Sequence, residues 1–452
     1  MRRTKIARIA LATIAALSLA VGIRDNAVAT SPVFTDSAGI HVVSAQQVDG
    51  RLWALSVSTA SLGRAVRVRV LLPSAYDASS ATRYPVLYLF HGTSGGPDDW
   101  INSGDAEQTT AGLPLIVVLP DAGFDNDGGS WFTNWVDTAT KLGPSRWESF
   151  HVDELVPWVD ANLNTVATRA GRAIAGLSQG GFGAMSYAAR HPDLFGAAGS
   201  FSGAPEIDRD AVVIPFSSAI ISGTAAYLDG VEPDAMFGSR VTNEINWQGH
   251  DAATLLQNLR FTNLAMWTGD GVPGPYDTVP NLSASAIEYA VHTSTLLFHQ
   301  HLNAAGIPNY YDDYGSGTHT FPYWAADLRA FVPRLMQFFA NPPASPTTIS
   351  YTSVDKTWTE WGWSVANQRT IVQAFTTLSA ANASGFTFKG RDPATVTTTA
   401  LYAPGSAHVV KVVNPRSTTT AVLIADGSGR LHVTVSPRTL FNTAGTSRVT
   451  VS

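Results

Sequence analysis

The sequence predicts an α/β protein, a mostly parallel sheet covered by helices on both faces, joined to a small all-β domain at its C-terminal end. Two observations carry this. Short apolar β-rich runs alternate with amphipathic helical patterns over the first three quarters of the chain, the signature of a parallel sheet buried on both sides. A proline-rich break then separates them from a Thr-, Val- and Ser-rich remainder.

The elements follow in order. Arg2, Arg3, Lys5 and Arg8 precede an apolar run from Ile9 to Val21, and Ala27-Val28-Ala29 supplies a small-x-small cleavage site. This pattern predicts a secretory signal over residues 1–29, cleaved after Ala29, and so a secreted protein, with association to the cell envelope as a further expectation. At about 1.5 Å per residue the run is too short to cross a bilayer core of about 30 Å. Val66 to Leu72, Val86 to His91 and Leu115 to Pro120 read as strands. His151 to Leu163 has apolar residues at helical spacing. Strand and helix pairs then recur at Arg172–Gly176 with Gly180–Arg190, and at Leu264–Gly269 with Ser285–Ala305. Tyr310–Tyr314 is the last strand and Trp324–Phe339 the last helix. These elements place the first domain at 30–340.

Pro342, Pro343 and Pro346 make 341–347 an extended linker, because proline cannot continue the preceding helix. Residues 348–452 read as a small β-sandwich, with Asp426-Gly427-Ser428-Gly429 expected to join Ala421–Ala425 to Arg430–Val435 as a hairpin. Trp358, Trp361 and Trp363 suit either a polysaccharide-binding platform or buried core.

Composition narrows the function. A 45% apolar and 14% charged chain is globular, and its net charge of −6 with scattered basic residues excludes a nucleic-acid partner. The absence of cysteine removes thiol nucleophiles and thiolate metal sites. No cofactor is expected. His299-Gln300-His301 is a weak metal signal, since residues at i and i+2 of a helix face different ways.

The chemistry-bearing motif is Gly176-Leu177-Ser178-Gln179-Gly180, a G-x-S-x-G between a predicted strand and helix. In that context it forms a nucleophile elbow, the strained turn that presents a serine at the edge of an α/β-hydrolase sheet. A serine hydroxyl needs a neighbouring base. Of 11 histidines, His319 has the required place, in the Gly-rich loop after the last strand. An oxyanion hole needs two backbone donors, expected from Gln179 and from Thr93 in His91-Gly92-Thr93-Ser94-Gly95-Gly96. His91 itself reads as a packing residue. Trp100, Trp131, Trp135 and Phe321 are candidate substrate-binding aromatics.

These residues resemble the esterase D / antigen-85 mycolyltransferase group of the α/β-hydrolases from about His41 to Phe339. Besides the elbow, the likeness lies in Trp131-Phe132-Thr133-Asn134-Trp135, Arg146-Trp147-Glu148-Ser149-Phe150 and Gly317-Thr318-His319-Thr320-Phe321-Pro322-Tyr323-Trp324. The resemblance implies a Ser-His-acid triad acting on a small-molecule or lipid ester. It places the acid at Glu288, with Asp270, directly after a strand, as the alternative. It also implies either a plain esterase or an acyltransferase with a sugar or glycerolipid acceptor; a cell-wall polysaccharide is a further expected partner, and a catalytically inactive binding protein a third reading. The mycolyltransferases carry an acidic residue and an arginine around the first oxyanion donor. Here His91 and Ser94 stand there, which favours the esterase.

Overall fold

The computed structural model describes residues 29–125, 128–370, 372–441 and 443–452. The expected signal segment lies, up to Val28, outside the described residues. Among the described residues no helix is long and apolar enough to cross a membrane.

The first domain is built on a nine-stranded sheet: β1 (His41–Gln47), β2 (Leu52–Ser58), β3 (Val66–Leu71), β4 (Val86–Phe90), β5 (Ile116–Pro120), β6 (Arg172–Leu177), β7 (Ala197–Phe201), β8 (Asn263–Thr268) and β9 (Asn309–Asp313). The spatial order is β1-β2-β3-β5-β4-β6-β7-β8-β9. The first three strands run antiparallel and β5 to β9 pair in parallel. This is the α/β-hydrolase fold.

Alternating side chains feed two cores, as a pleated strand requires. On one face Val86, Tyr88, Phe90, Ile116, Val118 and Ile174 pack under the helix Gln179–Arg190 and against the helix Leu282–Ala304. On the other, Leu87, Leu89, Val117, Leu119, Ala173 and Ala175 meet Leu328, Phe331 and Leu335 of the helix Phe321–Ala340. The periodic segment at 151–163 is one helical stretch in two parts, a π-helical Ser149–Leu155 and an α-helical Val156–Asn162.

The C-terminal domain has a six-stranded sheet, ordered β10-β13-β14-β19-β16-β17, and a four-stranded one, β11-β12-β15-β18. The first comprises β10 (Ile349–Ser353), β13 (Thr376–Asn382), β14 (Gly385–Gly390), β16 (Ala407–Asn414), β17 (Ser417–Ile424) and β19 (Gly445–Val451). The second comprises β11 (Thr357–Glu360), β12 (Trp363–Asn367), β15 (Ala394–Thr397) and β18 (His432–Val435). The expected hairpin through Asp426–Gly429 does not form. Those residues turn on themselves, but β17 stays with β16 in one sheet while β18 crosses to β15 in the other. The actual hairpin joins β16 to β17 at Asn414↔Ser417.

Of the two readings of the tryptophans, buried core holds for two. Trp358 and Trp363 are sandwich core, and Trp361 is partly buried between the domains, where the Arg169 guanidinium and the Phe261 ring contact it.

The two domains meet on a buried charge network at the far end of the helix Gln179–Arg190. Arg190 pairs with Glu148 at 2.6 Å and with Asp355 at 3.1 Å. His191 bridges Glu148 at 2.9 Å and Glu360 at 3.0 Å. Burial disfavours the imidazolium, but the hydrogen bonds and charges of Glu148 and Glu360 outweigh it and raise His191 from 6.5 to about 10. The Tyr351 hydroxyl donates to the Arg190 carbonyl, and the Trp361 N–H to Asp193.

Two outcomes are expected. Removing one partner of a buried ion pair strands the other, so Arg190→Met should lower unfolding free energy by about 3–5 kcal/mol, read by denaturant titration. A folded-state pKa above the unfolded one gives stability that is complete below pH 6.5 and lost as pH rises through about 10. Melting temperature should therefore fall across that window in wild type, and less so in His191→Gln.

Candidate active site

Four loops converge at the carboxyl edge of the parallel strands, and each holds a non-glycine residue at positive φ. Ser94 (58°) follows β4, Trp131 (46°) and Phe132 (49°) follow β5, Ser178 (53°) follows β6 and Ser202 (46°) follows β7. Such conformations cost of order 1–3 kcal/mol each and persist only where the surroundings over-determine them. At Ser178 (ψ −123°) the surroundings are glycines. A Cβ on Gly180 would sit 2.4 Å from the His91 carbonyl oxygen, and one on Gly176 2.5 Å from the Gly180 backbone. Without side chains there, β6 and the helix approach closely enough to force the turn.

Ser178 Oγ is 2.9 Å from His319 Nε2, and His319 Nδ1 is 2.7 Å from Glu288 Oε2. The tautomer that satisfies both has the serine hydroxyl donating to Nε2 and the Nδ1–H donating to the carboxylate. Glu288 is fully buried, and its other oxygen accepts from the Ser202 hydroxyl (2.8 Å), the Thr268 hydroxyl (3.1 Å) and the Gly269 N–H (2.8 Å). The Trp324 ring stands edge-on to the imidazole, centroids 4.8 Å apart. Asp270 takes no part: its carboxylate accepts from the Val272 N–H, away from His319.

The histidine loop is anchored by Asp277, which accepts from the Thr318 and Tyr323 hydroxyls and the Gly274 N–H. Burial is the largest single influence and opposes its charge, yet these three donors together hold its carboxyl below the usual range. The Thr93 and Gln179 N–H groups have no acceptor among the described residues, and both residues line the cavity beside Ser178. The Gln179 side chain fixes that arrangement, donating to Thr93 Oγ1 at 2.9 Å and accepting from the Trp131 N–H at 3.3 Å. His91 is buried in a single tautomer, donating to the Gly92 carbonyl and accepting from the Ala122 N–H, and it pins the Thr93 loop. Burial lowers its pKa, in keeping with a neutral ring.

Above Ser178 opens an apolar cavity of about 700 Å³. Trp131 and Phe321 line it, with Phe216, Ile220, Ile287 and Val291. Trp100 and Trp135 do not. Trp100 is buried with its indole N–H on the Phe90 carbonyl, and Trp135 with its own on Ser130, so both pack loops. Sequence reasoning missed Ser202, Asp277 and the apolar wall from 204–228. A Ser directly after β7 and the apolar helix Ile214–Gly223 were the available signals.

Fold and site geometry define an α/β-hydrolase with a serine at its nucleophile elbow. Residues 59–335 match the esterase family, and the chain belongs to it. It is 34% identical over 307 residues to Esterase Rv1288 of Mycobacterium tuberculosis (strain H37Rv), covering 67% of this chain and 63% of that protein. The chain therefore spans less than two thirds of that relative's length. It is 30% identical to the diacylglycerol acyltransferase/mycolyltransferase Ag85B of Mycobacterium leprae, over 64% of this chain and 85% of the relative. Among solved structures it resembles Mycobacterium tuberculosis MPT51, with a TM-score of 0.50, 28% identity, and coverage of 63% of this chain and 97% of the other.

The elbow geometry makes a direct prediction. Gly180→Ala drives a methyl into the His91 carbonyl and should destabilise by about 1–3 kcal/mol or more, seen as a lowered melting temperature. An unchanged melting temperature would mean that the close approach is not needed.

Proposed function

We propose that the chain is a serine esterase that cleaves carboxylic esters of apolar acyl groups through an acyl-enzyme on Ser178. The observation that carries this is the hydrogen-bonded line Ser178–His319–Glu288 opening onto an apolar cavity. As Ser178 Oγ bonds to the ester carbonyl carbon, His319 Nε2 takes its proton and the carbonyl electron pair moves to oxygen. That oxyanion is held by the free N–H groups of Thr93 and Gln179, which are aimed before the charge develops. Collapse breaks the bond to the alcohol, which leaves with the proton from His319. Water then enters, gives a proton to His319 and attacks the acyl carbon; the bond to Ser178 Oγ breaks, His319 returns that proton to Oγ, and the acid leaves. Glu288 keeps the imidazole in the productive tautomer and stabilises the imidazolium.

Support for a second reading, acyl transfer to a sugar or glycerolipid hydroxyl, comes from the Ag85B similarity. The two reactions share the acyl-enzyme and diverge in whether water or an alcohol resolves it. His91 is fully committed to packing and Ser94 is uncharged, so neither supplies an acceptor-binding charge. This favours water.

Ser178→Ala should lower kcat/KM on a nitrophenyl ester by at least about a thousandfold, and Glu288→Gln by at least about a hundredfold, both without loss of melting temperature. Retained activity in folded Ser178→Ala refutes the assignment. The apolar wall predicts a rise in kcat/KM with acyl length from acetyl to hexanoyl, by up to about fourfold per methylene, from about 0.8 kcal/mol per buried CH₂. A flat or falling profile would show that the cavity does not hold the acyl chain. Trehalose added to the assay should leave free acid, rather than acylated sugar, as the main product.

A further inference from the structure

Away from the elbow, the loop after β7 and the last turns of the helix Leu282–Ala304 bring together Glu206, Asp210 and His301. One donor atom from each lies within 4.8 Å of the others. His301 Nε2 is 2.8 Å from Asp210 Oδ2 and 3.6 Å from Glu206 Oε2. The Glu206 side chain is wholly buried, and its Oε2 has no hydrogen-bond partner. A buried carboxylate oxygen without a donor is costly, and 3.6 Å is too long for His301 to repay it.

The surroundings hold this oxygen in place. Glu206 Oε1 accepts from the Asp210 N–H, while the Glu206 N–H and carbonyl are both bound to Ser294, two helical turns before His301. Asp210 and His301 are partly exposed, which leaves an entry path.

We propose that Glu206 Oε2, Asp210 Oδ2 and His301 Nε2 form a three-ligand site for a zinc-class divalent ion, with water as fourth ligand. Tetrahedral zinc with bonds of about 2.0–2.2 Å wants donors about 3.4 Å apart, within the spread found here. Two carboxylates with one imidazole suit zinc; calcium and magnesium take oxygen donors. His301 must carry its remaining proton on Nδ1 when the ion is bound, so its bond to Asp210 is exchanged for one to the metal. The ion would staple the loop after β7 to the helix that bears Glu288. It lies thirteen residues along that helix from the triad carboxylate, about 20 Å at 1.5 Å per residue, and does no chemistry on the ester.

The test is calorimetric titration of Zn²⁺ into the full chain after chelator treatment, with thermal melting alongside. One zinc per chain is expected, together with a saturating rise in melting temperature that Mg²⁺ does not give. Glu206→Gln and His301→Ala should each weaken zinc binding by more than about tenfold and abolish the rise, while ester turnover stays within about twofold of wild type. Asp210→Asn, at a partly exposed position, serves if either variant fails to fold. Absence of zinc binding in wild type, equal binding by the variants, or an equal effect of Mg²⁺ would overturn the proposal.

Discussion

The close approach of β6 to the helix Gln179–Arg190 is the constraint from which the rest of the site follows. Glycines at 176 and 180 permit it, and Ser178 is held at φ 53° as a result, with its hydroxyl above the sheet edge. Once the serine is fixed, the neighbouring loops have little choice. The Thr93 loop sits beside it because His91 locks into the strand edge, and the Trp131 loop does so because Gln179 holds its backbone. The strain collects where several loops share hydrogen bonds, which is what allows left-handed Ser, Trp and Phe residues to persist.

That same twelve-residue helix has two ends with different work. Its first residue follows Ser178; its last, Arg190, lies in the buried charge network that docks the sandwich. The C-terminal domain is therefore joined to the element that carries the serine by more than a proline-rich linker. Glu288 shows a comparable economy. One of its oxygens lies on His319, and the other gathers three donors from the turn after β7, from β8 and from the turn after β8, so Glu288 is fixed by the sheet as well as by its own helix.

Much of this was legible in the sequence, for identifiable reasons. Parallel strands buried on both faces read as apolar runs, and glycines at an elbow are dictated by contact distances, so the core strands and Ser178 stand out. His319 is marked by its place after the last strand. The acid was harder, since Glu288 and Asp270 both follow β8 in sequence and differ only in which way the chain turns after Thr268. Indoles mislead in the same way: Trp100 and Trp135 have the composition of a binding wall, but their N–H groups find backbone carbonyls below the cavity. The false hairpin at Asp426 has correct turn chemistry, yet tertiary packing sends its two strands to opposite sheets. His301 was dismissed from its helix spacing to His299, which does point elsewhere, towards Asn309 and the Tyr311 ring. Its partners come from a distant loop that periodicity does not connect to it.

The central claim is that the Ser178 hydroxyl becomes covalently acylated because His319 lies at its proton. Acid quenching of the protein within its first turnovers on a slowly hydrolysed nitrophenyl ester, followed by peptide mass mapping, tests this directly. The account predicts one acyl group per chain, on the peptide containing Ser178 and absent when His319 is replaced by alanine. An acyl group found on another residue, or release of nitrophenol with no acylated peptide, would contradict it.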